Sequence, residues 1–167
     1  DIASATTGKV VLVTGAGGSI GSQLCRQVAR FDPARLIMTD RDESGLHATE
    51  LGLEGSALLT SDDLVLGDLR DPAFIDTLVA EAKPDIIFHA AALKHLTFLE
   101  RFPEQAVRTN VGASLDLLNA AVAHDVDSFV HISTDKAAGA TSVLGRTKFS
   151  IERAIASVAA ATGRRYM

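Results

Sequence analysis

A lone cysteine, Cys25, is all the thiol chemistry this sequence offers. It excludes an internal disulfide and fits a reducing compartment, so a cytoplasmic location is expected. Positive charge is also scarce: 16 lysines and arginines stand against 21 aspartates and glutamates, a formal charge of −5. That balance gives no basic field for a nucleic acid, and no nucleic-acid partner is expected. Tryptophan is missing and tyrosine occurs once, as Tyr166, so a phenol is available at one place only. No apolar run reaches the ~20 residues of a membrane span, and no signal peptide opens the chain. No internal repeat, low-complexity tract or domain boundary interrupts it.

What is present is a steady alternation of short apolar runs with helical periodicity. Lys9–Thr14, Arg35–Asp40, Leu64–Leu66, Asp85–His89 and Ser128–Ser133 read as buried strands by length and β-branched content. Between them, Ile20, Leu24, Val28 and Phe31 trace one helix face, and Asp42–Leu53 is a second helix. Asp71-Pro72 opens a third helix as N-cap and first residue. Val107, Val111, Leu115, Leu118 and Val122 mark a long helix from near Pro103, and a last one runs from about Ser142 to Thr162. The final "GRRYM" starts a sixth strand. Such alternation implies a Rossmann-type doubly wound parallel sheet, three layers α/β/α, over residues 9–167, with 1–8 as a polar lead-in or linker.

Gly15, Gly18 and Gly21 fall in "TGAGGSIG", after the first strand and at the mouth of the first helix. Glycine lets the backbone approach a pyrophosphate, and the helix start, Ser19 and Ile20 included, offers free N–H groups and the positive end of a dipole. Asp40 ends the second strand about 20 residues on, placed to accept from ribose hydroxyls and so to favour NAD. Arg41 beside it leaves NADP open. Asp68, with Leu69, follows the third strand where a side chain reaches an adenine. Ala90, Ala91 and Ala92 leave room for a flat cofactor beyond the fourth strand. Lys94 is placed to face a substrate phosphate. His89 reads as a satisfied core histidine, and His124 and His131 carry no role. Asn110 is a mediocre helix former in mid-helix, which implies a tertiary hydrogen bond that orients the lysine of the cofactor site. Ser133, Thr134, Asp135, Lys136 and Lys148 crowd acid–base groups around the end of the fifth strand.

In "VLVTGAGGSIGSQLCRQ", "HAAALKHL", "TNVGASLDLL" and "ISTDKA…GRTK", the chain resembles the extended short-chain dehydrogenase/reductase superfamily. Within it, the chain is most similar to the CapD-type polysaccharide-biosynthesis group that includes UDP-N-acetylglucosamine 4,6-dehydratases. The resemblance spans residues 9–163. It implies that a C-terminal part beyond this chain closes over a UDP-sugar, so that the 167 residues alone are inactive. It also implies a homo-oligomer, a membrane-anchored region upstream in larger relatives, and work at the cytoplasmic face of the membrane.

The implied reaction is redox-neutral. A bound NAD or NADP takes hydride from sugar C4, a base removes the C5 proton, C6 hydroxyl leaves as water, and the hydride returns to C6. By the resemblance, Asp135 is the acid for the leaving hydroxyl and Lys136 the base, its pKa to be lowered by burial or by Lys148. Ser133 or Thr134 bonds the C4 oxygen, and Lys148 holds the nicotinamide ribose. Most of the superfamily has a tyrosine where this chain has Leu144, four residues before Lys148. Some CapD-type members carry methionine there, so another group must take the C4 proton: Asp135, Ser133 or a water. Gly139 and Ala140 stand where the family shows Asn-Pro, and Ser142 where it shows Asn. Two other readings stay open: a nucleotide-sugar epimerase, and a catalytically silent dinucleotide-binding module.

Overall fold

Runs such as Val10–Thr14 are too short for helices and too apolar to stand at a surface, and all such runs join one sheet. The computed structural model describes residues 5–55, 58–59 and 61–167. Its strands are β1 (Val10–Thr14), β2 (Arg35–Asp40), β3 (Leu64–Leu66), β4 (Ile86–His89), β5 (Ser128–His131) and β6 (Arg165–Tyr166). All neighbours pair in parallel, in the order β3-β2-β1-β4-β5-β6. The helices are α1 (Ser19–Ala29), α2 (Glu43–Glu54), α3 (Pro72–Ala82), α4 (Leu96–Arg101), α5 (Pro103–Ala106), α6 (Ala113–Ala123) and α7 (Val143–Thr162). Among the described residues no helix is long and apolar enough to cross a membrane.

The strand period of two sorts side chains between the layers. Val11 and Val13 join Cys25, Val28 and Leu46 of α1 and α2 on one face. Leu12, Ile37, Ile87 and Phe129 join Ile75, Leu117 and Ile151 of α3, α6 and α7 on the other. Each of these side chains contributes about 1.5–3 kcal/mol by leaving water. Asp71 caps α3, accepting from the Ala73 N–H at 3.0 Å, with Pro72 as its first residue. Tyr166, buried in β6, donates to the Val126 carbonyl at 2.8 Å and serves the core.

Two expected helix faces are corrected. On α1 the buried residues are Gly21, Cys25 and Val28, while Ile20 is exposed. The helix start sits directly on the glycine turn, so Gly21 takes the inward place and Ile20 turns to the open edge. The helix expected from Pro103 is broken by a π-turn, Val107–Gly112, between α5 and α6. Val107 is exposed there, and the inward face runs Ala106, Asn110, Ala113, Leu117.

Asn110 lies buried in that turn. Its side chain accepts from the Leu93 N–H at 2.8 Å and donates to the Leu93 carbonyl at 2.9 Å, with Thr147 at 3.3 Å. The expected tertiary bond exists, but it holds the loop after β4 and reaches α7 through Thr147, not through Lys148. Asn110→Ala leaves two partly buried backbone groups without this partner, which costs about 2–3 kcal/mol. A fall in melting temperature of about 4–12 °C is therefore expected by circular dichroism. An unchanged midpoint would mean that the loop holds itself.

The lead-in also differs from a free linker where it is described. The Thr7 hydroxyl donates to the Phe31 carbonyl at 2.9 Å and the Gly8 N–H to the Asp32 carbonyl at 2.9 Å. Positions 1–4 lie outside the described residues.

Candidate active site

The order β3-β2-β1-β4-β5-β6 makes the chain leave β1 and β4 in opposite directions, opening a crevice beyond their carboxyl ends. The glycine turn enters it from β1. Gly15 has φ +70°, and a Cβ there would lie 2.6 Å from the Ala91 nitrogen. Gly21 brings α1 down so closely that a Cβ would lie 1.9 Å from the Gly15 carbonyl oxygen. Gly17 packs against Gly45 of α2 in the same way, at 2.9 Å. Gly18 is the N-cap of α1 and supplies no side-chain cap, so the first-turn N–H groups stand available to a ligand.

Asp40 ends β2 beside this turn, accepting from the Gly17 N–H at 2.9 Å and the Asp42 N–H at 3.0 Å. Asp68 is gripped by Arg70, whose Nε donates at 2.9 and 3.0 Å, and it lies 3.9 Å from Arg41. The Arg70 hydrogen bond, with both guanidinium charges, holds the Asp68 carboxyl below the usual carboxylate range. Asp40, Arg41, Asp68, Leu69 and Ala90–Ala92 border a cavity of ≈ 240 Å³ with Gly15 and Gly18.

A second cavity of ≈ 550 Å³ adjoins it. Gly18, Ala90 and Ala92 border both, so the two form one groove across the sheet edge. Ser19, Ile20, Gly21, Lys94, Ser133, Thr134, Lys136, Leu144 and Lys148 line this half. The Lys94 ammonium donates to the Ser19 hydroxyl at 3.0 Å, which places its charge over the start of α1. Lys148 is buried and donates to the Ile132 carbonyl at 2.7 Å. Burial pushes its pKa down to about 8.

His131, read from the sequence as without a role, is corrected: its Nε2 lies 3.3 Å from the Lys148 nitrogen. Burial, then the Lys148 charge, pushes its pKa down to about 3. His89 sits in the core as expected, between the Thr14 and Ser114 hydroxyls at 2.7 Å each. Burial holds its pKa well below the ordinary value, with His131 and Lys148 adding to the effect. Both histidines stay neutral when folded and take a proton when unfolded. Below the ordinary value of 6.5 the unfolded chain binds more protons, so stability is full above that pH and lost as pH falls toward about 3. Urea midpoints are expected to drop steeply from pH 6.5 to pH 5 and to drop less steeply in His131→Phe, where His89 alone keeps the dependence. Equal midpoints across that window would contradict these burial effects.

At the far end, the Thr134 hydroxyl donates to Asp135 at 3.0 Å, and Lys136 lies 3.4 Å from the same carboxylate. Those two bonds, Thr134 first, hold the fully exposed Asp135 below the usual carboxylate range. In this open arrangement Asp135 is therefore a carboxylate rather than an acid. Leu144 is buried against Leu99 and Ala106. Ser142 caps α7 by accepting from the Gly145 N–H at 3.0 Å. Ser133 donates to Glu152 of α7, a partner that the sequence alone does not reveal. Gly145 is a further addition: a Cβ there would lie 2.5 Å from the Lys136 carbonyl oxygen, so glycine lets the acid–base loop rest on the helix. Its signal is a glycine in a helix's first turn, where it is costly unless packing requires it.

A family model described as polysaccharide biosynthesis protein matches residues 11–167. The capsular polysaccharide biosynthesis protein CapD of Staphylococcus aureus is 37% identical over 91% of this chain and 26% of its own length. A UDP-N-acetylglucosamine 4,6-dehydratase (inverting) of Campylobacter jejuni is 30% identical over 87% of this chain and 42% of its own. Among solved structures, a UDP-glucose-4-epimerase of Stenotrophomonas maltophila, with bound NAD and formylated UDP-arabinopyranose, superposes with a TM-score of 0.81. It is 27% identical, and the match covers 92% of this chain and 49% of that one. The chain thus spans half or less of the length of these relatives. A sheet of this order, a glycine turn of this closeness and a family match over nearly the whole sequence agree: the chain belongs to the polysaccharide biosynthesis protein family.

Proposed function

We propose that the chain is the dinucleotide-binding portion of a longer nucleotide-sugar 4,6-dehydratase, acting on UDP-N-acetylglucosamine or a close relative. The observation that carries this reading is the single groove that runs from the glycine cradle to Ser133, Thr134, Lys136 and Lys148, with the Asp135 carboxylate at its rim, 3.4 Å from the Lys136 nitrogen. The residues fit a nicotinamide dinucleotide: side chains at Gly15 and Gly21 would collide with the backbone that shapes the cradle, and the alanines after β4 leave a flat floor. Gly15–Gly21 and the start of α1 would hold the pyrophosphate, Asp40 the adenosine ribose, and Lys148 the nicotinamide ribose. Asp40 favours NAD, since a carboxylate repels a 2′-phosphate and Arg41 is turned toward Asp68.

When bound, the dinucleotide supplies a hydride acceptor at sugar C4 and later a donor at C6. Lys136 is exposed beside Asp135 rather than buried as expected, and it removes the C5 proton, once C4 is a carbonyl, only after the bound sugar has covered it. Asp135 protonates the departing C6 hydroxyl after the sugar and the rest of the protein cover it, because the Thr134 hydroxyl and then Lys136 now favour its ionised form. Lys94 adds positive charge at the phosphate end of the groove. An epimerase reading draws on the fold shared with UDP-glucose-4-epimerase, but it leaves the Asp135–Lys136 pair without a task.

The test is the full-length protein with UDP-N-acetylglucosamine in deuterated water, read by mass spectrometry. Loss of one water with one deuterium at C5 is expected. A product of unchanged mass that separates from the substrate would establish epimerisation instead. Bound dinucleotide without any turnover would identify a silent module.

A further inference from the structure

In the proposed dehydratase, C4 oxidation needs a group to take the hydroxyl proton, and Leu144 has none; the identity of that group rests on the dehydratase reading. On α7, Leu144, Lys148 and Glu152 are spaced four apart and share one helix face. Leu144 packs against Leu99 and Ala106 and presents only carbon to the groove. The Lys148 nitrogen is committed to the Ile132 carbonyl and to His131. The third member of the face, half-buried Glu152, accepts the hydroxyl hydrogen of Ser133. Ser133 lines the groove beside Thr134, Lys136 and Lys148. The competing hydroxyl, Thr134, donates to Asp135, the carboxylate that the reaction needs for the C6 hydroxyl.

We propose that Ser133 is the catalytic group that receives the C4 hydroxyl proton, and that Glu152 is the positioning residue behind it, where that proton comes to rest. The C4–H bond breaks with its electron pair passing as hydride to the bound dinucleotide, and the C4–oxygen double bond forms. The hydroxyl proton moves to Ser133 Oγ as the Ser133 proton moves to the Glu152 carboxylate. The sugar is oxidised, the dinucleotide reduced, and Glu152 becomes a neutral acid. The hydride returns to C6 later in the cycle and Glu152 gives its proton to solvent, so no outside oxidant enters. Lys148 supplies the positive charge that steadies the passing alkoxide. The relay takes over from a phenol on the same helix face.

The experiment is stopped-flow absorbance of the reduced nicotinamide, in the full-length protein with NAD and UDP-N-acetylglucosamine, for Ser133→Ala, Glu152→Gln and the double variant. Each single variant is expected to slow C4 oxidation by about a hundredfold. The double variant is expected to be no slower than either single one, because the two act as a unit. NAD affinity by calorimetry and melting temperature are expected to stay unchanged, which a merely structural bond between β5 and α7 would not allow. Oxidation by Glu152→Gln within about threefold of the unaltered rate would overturn the relay. Oxidation without water loss, slowed by Glu152→Gln, supports the relay and overturns the dehydratase reading. No oxidation by the unaltered protein overturns both.

Discussion

Gly21→Ala is expected to unsettle the domain strongly, although it adds a single methyl group. The added Cβ would sit 1.9 Å from the Gly15 carbonyl oxygen, 2.6 Å from its carbon and 3.0 Å from the Ala16 Cα. All three neighbours are backbone, so no side chain can swing away. Either α1 lifts from the sheet or the turn after β1 opens. The first uncovers Cys25 and Val28, which pack on Val11 and Val13. The second distorts the bonds from Gly18 N–H to Gly15 and from Gly17 N–H to Asp40. Overpacking of this kind costs about 3 kcal/mol, or about 6–12 °C in melting temperature for a domain of this size. Dinucleotide affinity is expected to fall with it, because the same turn is the phosphate cradle. Gly139→Ala is the control: its Cβ would meet nothing within 4 Å, and no change is expected. Equal melting temperatures for both variants would contradict the close seating of α1.

Lys148→Met is expected to make the protein more stable at neutral pH and to leave it inert. The cause is burial of the ammonium, which pushes the Lys148 pKa from 10.5 to about 8. Below pH 8 the folded chain carries this charge under strain, while the unfolded chain holds its proton up to pH 10.5. Between those limits the unfolded state binds more protons, so stability rises with pH across that window. The shift corresponds to about 3 kcal/mol, of which the lost bond to the Ile132 carbonyl takes back about 1 kcal/mol. Methionine fills the space without charge, so a gain on the order of 1–2 kcal/mol is expected in urea unfolding at pH 7. The rise in stability from pH 8 to 10.5 is expected to vanish. Activity of the full-length protein is expected to fall at least about a hundredfold. A less stable variant that kept the alkaline rise would show that Lys148 is not the strained group.

Much of this was legible in residue order. Val10–Thr14 and Arg35–Asp40 read as strands because β-branched and apolar residues in short runs have no other place to go. Asp71-Pro72 announced a helix start by the chemistry of its cap, and Asp71 caps in fact; the last helix starts close to Ser142 as expected, and there the structure adds the cap. The glycine turn was legible from its position between strand and helix. What stayed hidden depended on distance in sequence. Gly17, in the turn, matters because Gly45 faces it from α2, and nothing near Gly17 says so. His131 reaches Lys148 only because β5 ends where α7 passes over it. Glu152 lies on the Leu144–Lys148 face by simple helical period, yet its bond to Ser133 needed the strand end in place. Asn110 showed the reverse case: its poor helix propensity signalled a tertiary bond, but the partner, the Leu93 backbone, is set by the loop after β4.

The central claim is that one groove across the carboxyl ends of β1, β4 and β5 holds a nicotinamide dinucleotide. The most direct measurement is a nitrogen–proton correlation spectrum of the isotope-labelled chain titrated with NAD. Shifts are predicted at Gly15–Gly21, Asp40–Asp42, Ala90–Ala92 and Lys148, with Gly18 and Ser19 among the largest. Shifts gathered instead around Ala34, Leu53 and Asp63, which border a separate cavity near β2 and β3, would contradict the claim, as would an unchanged spectrum.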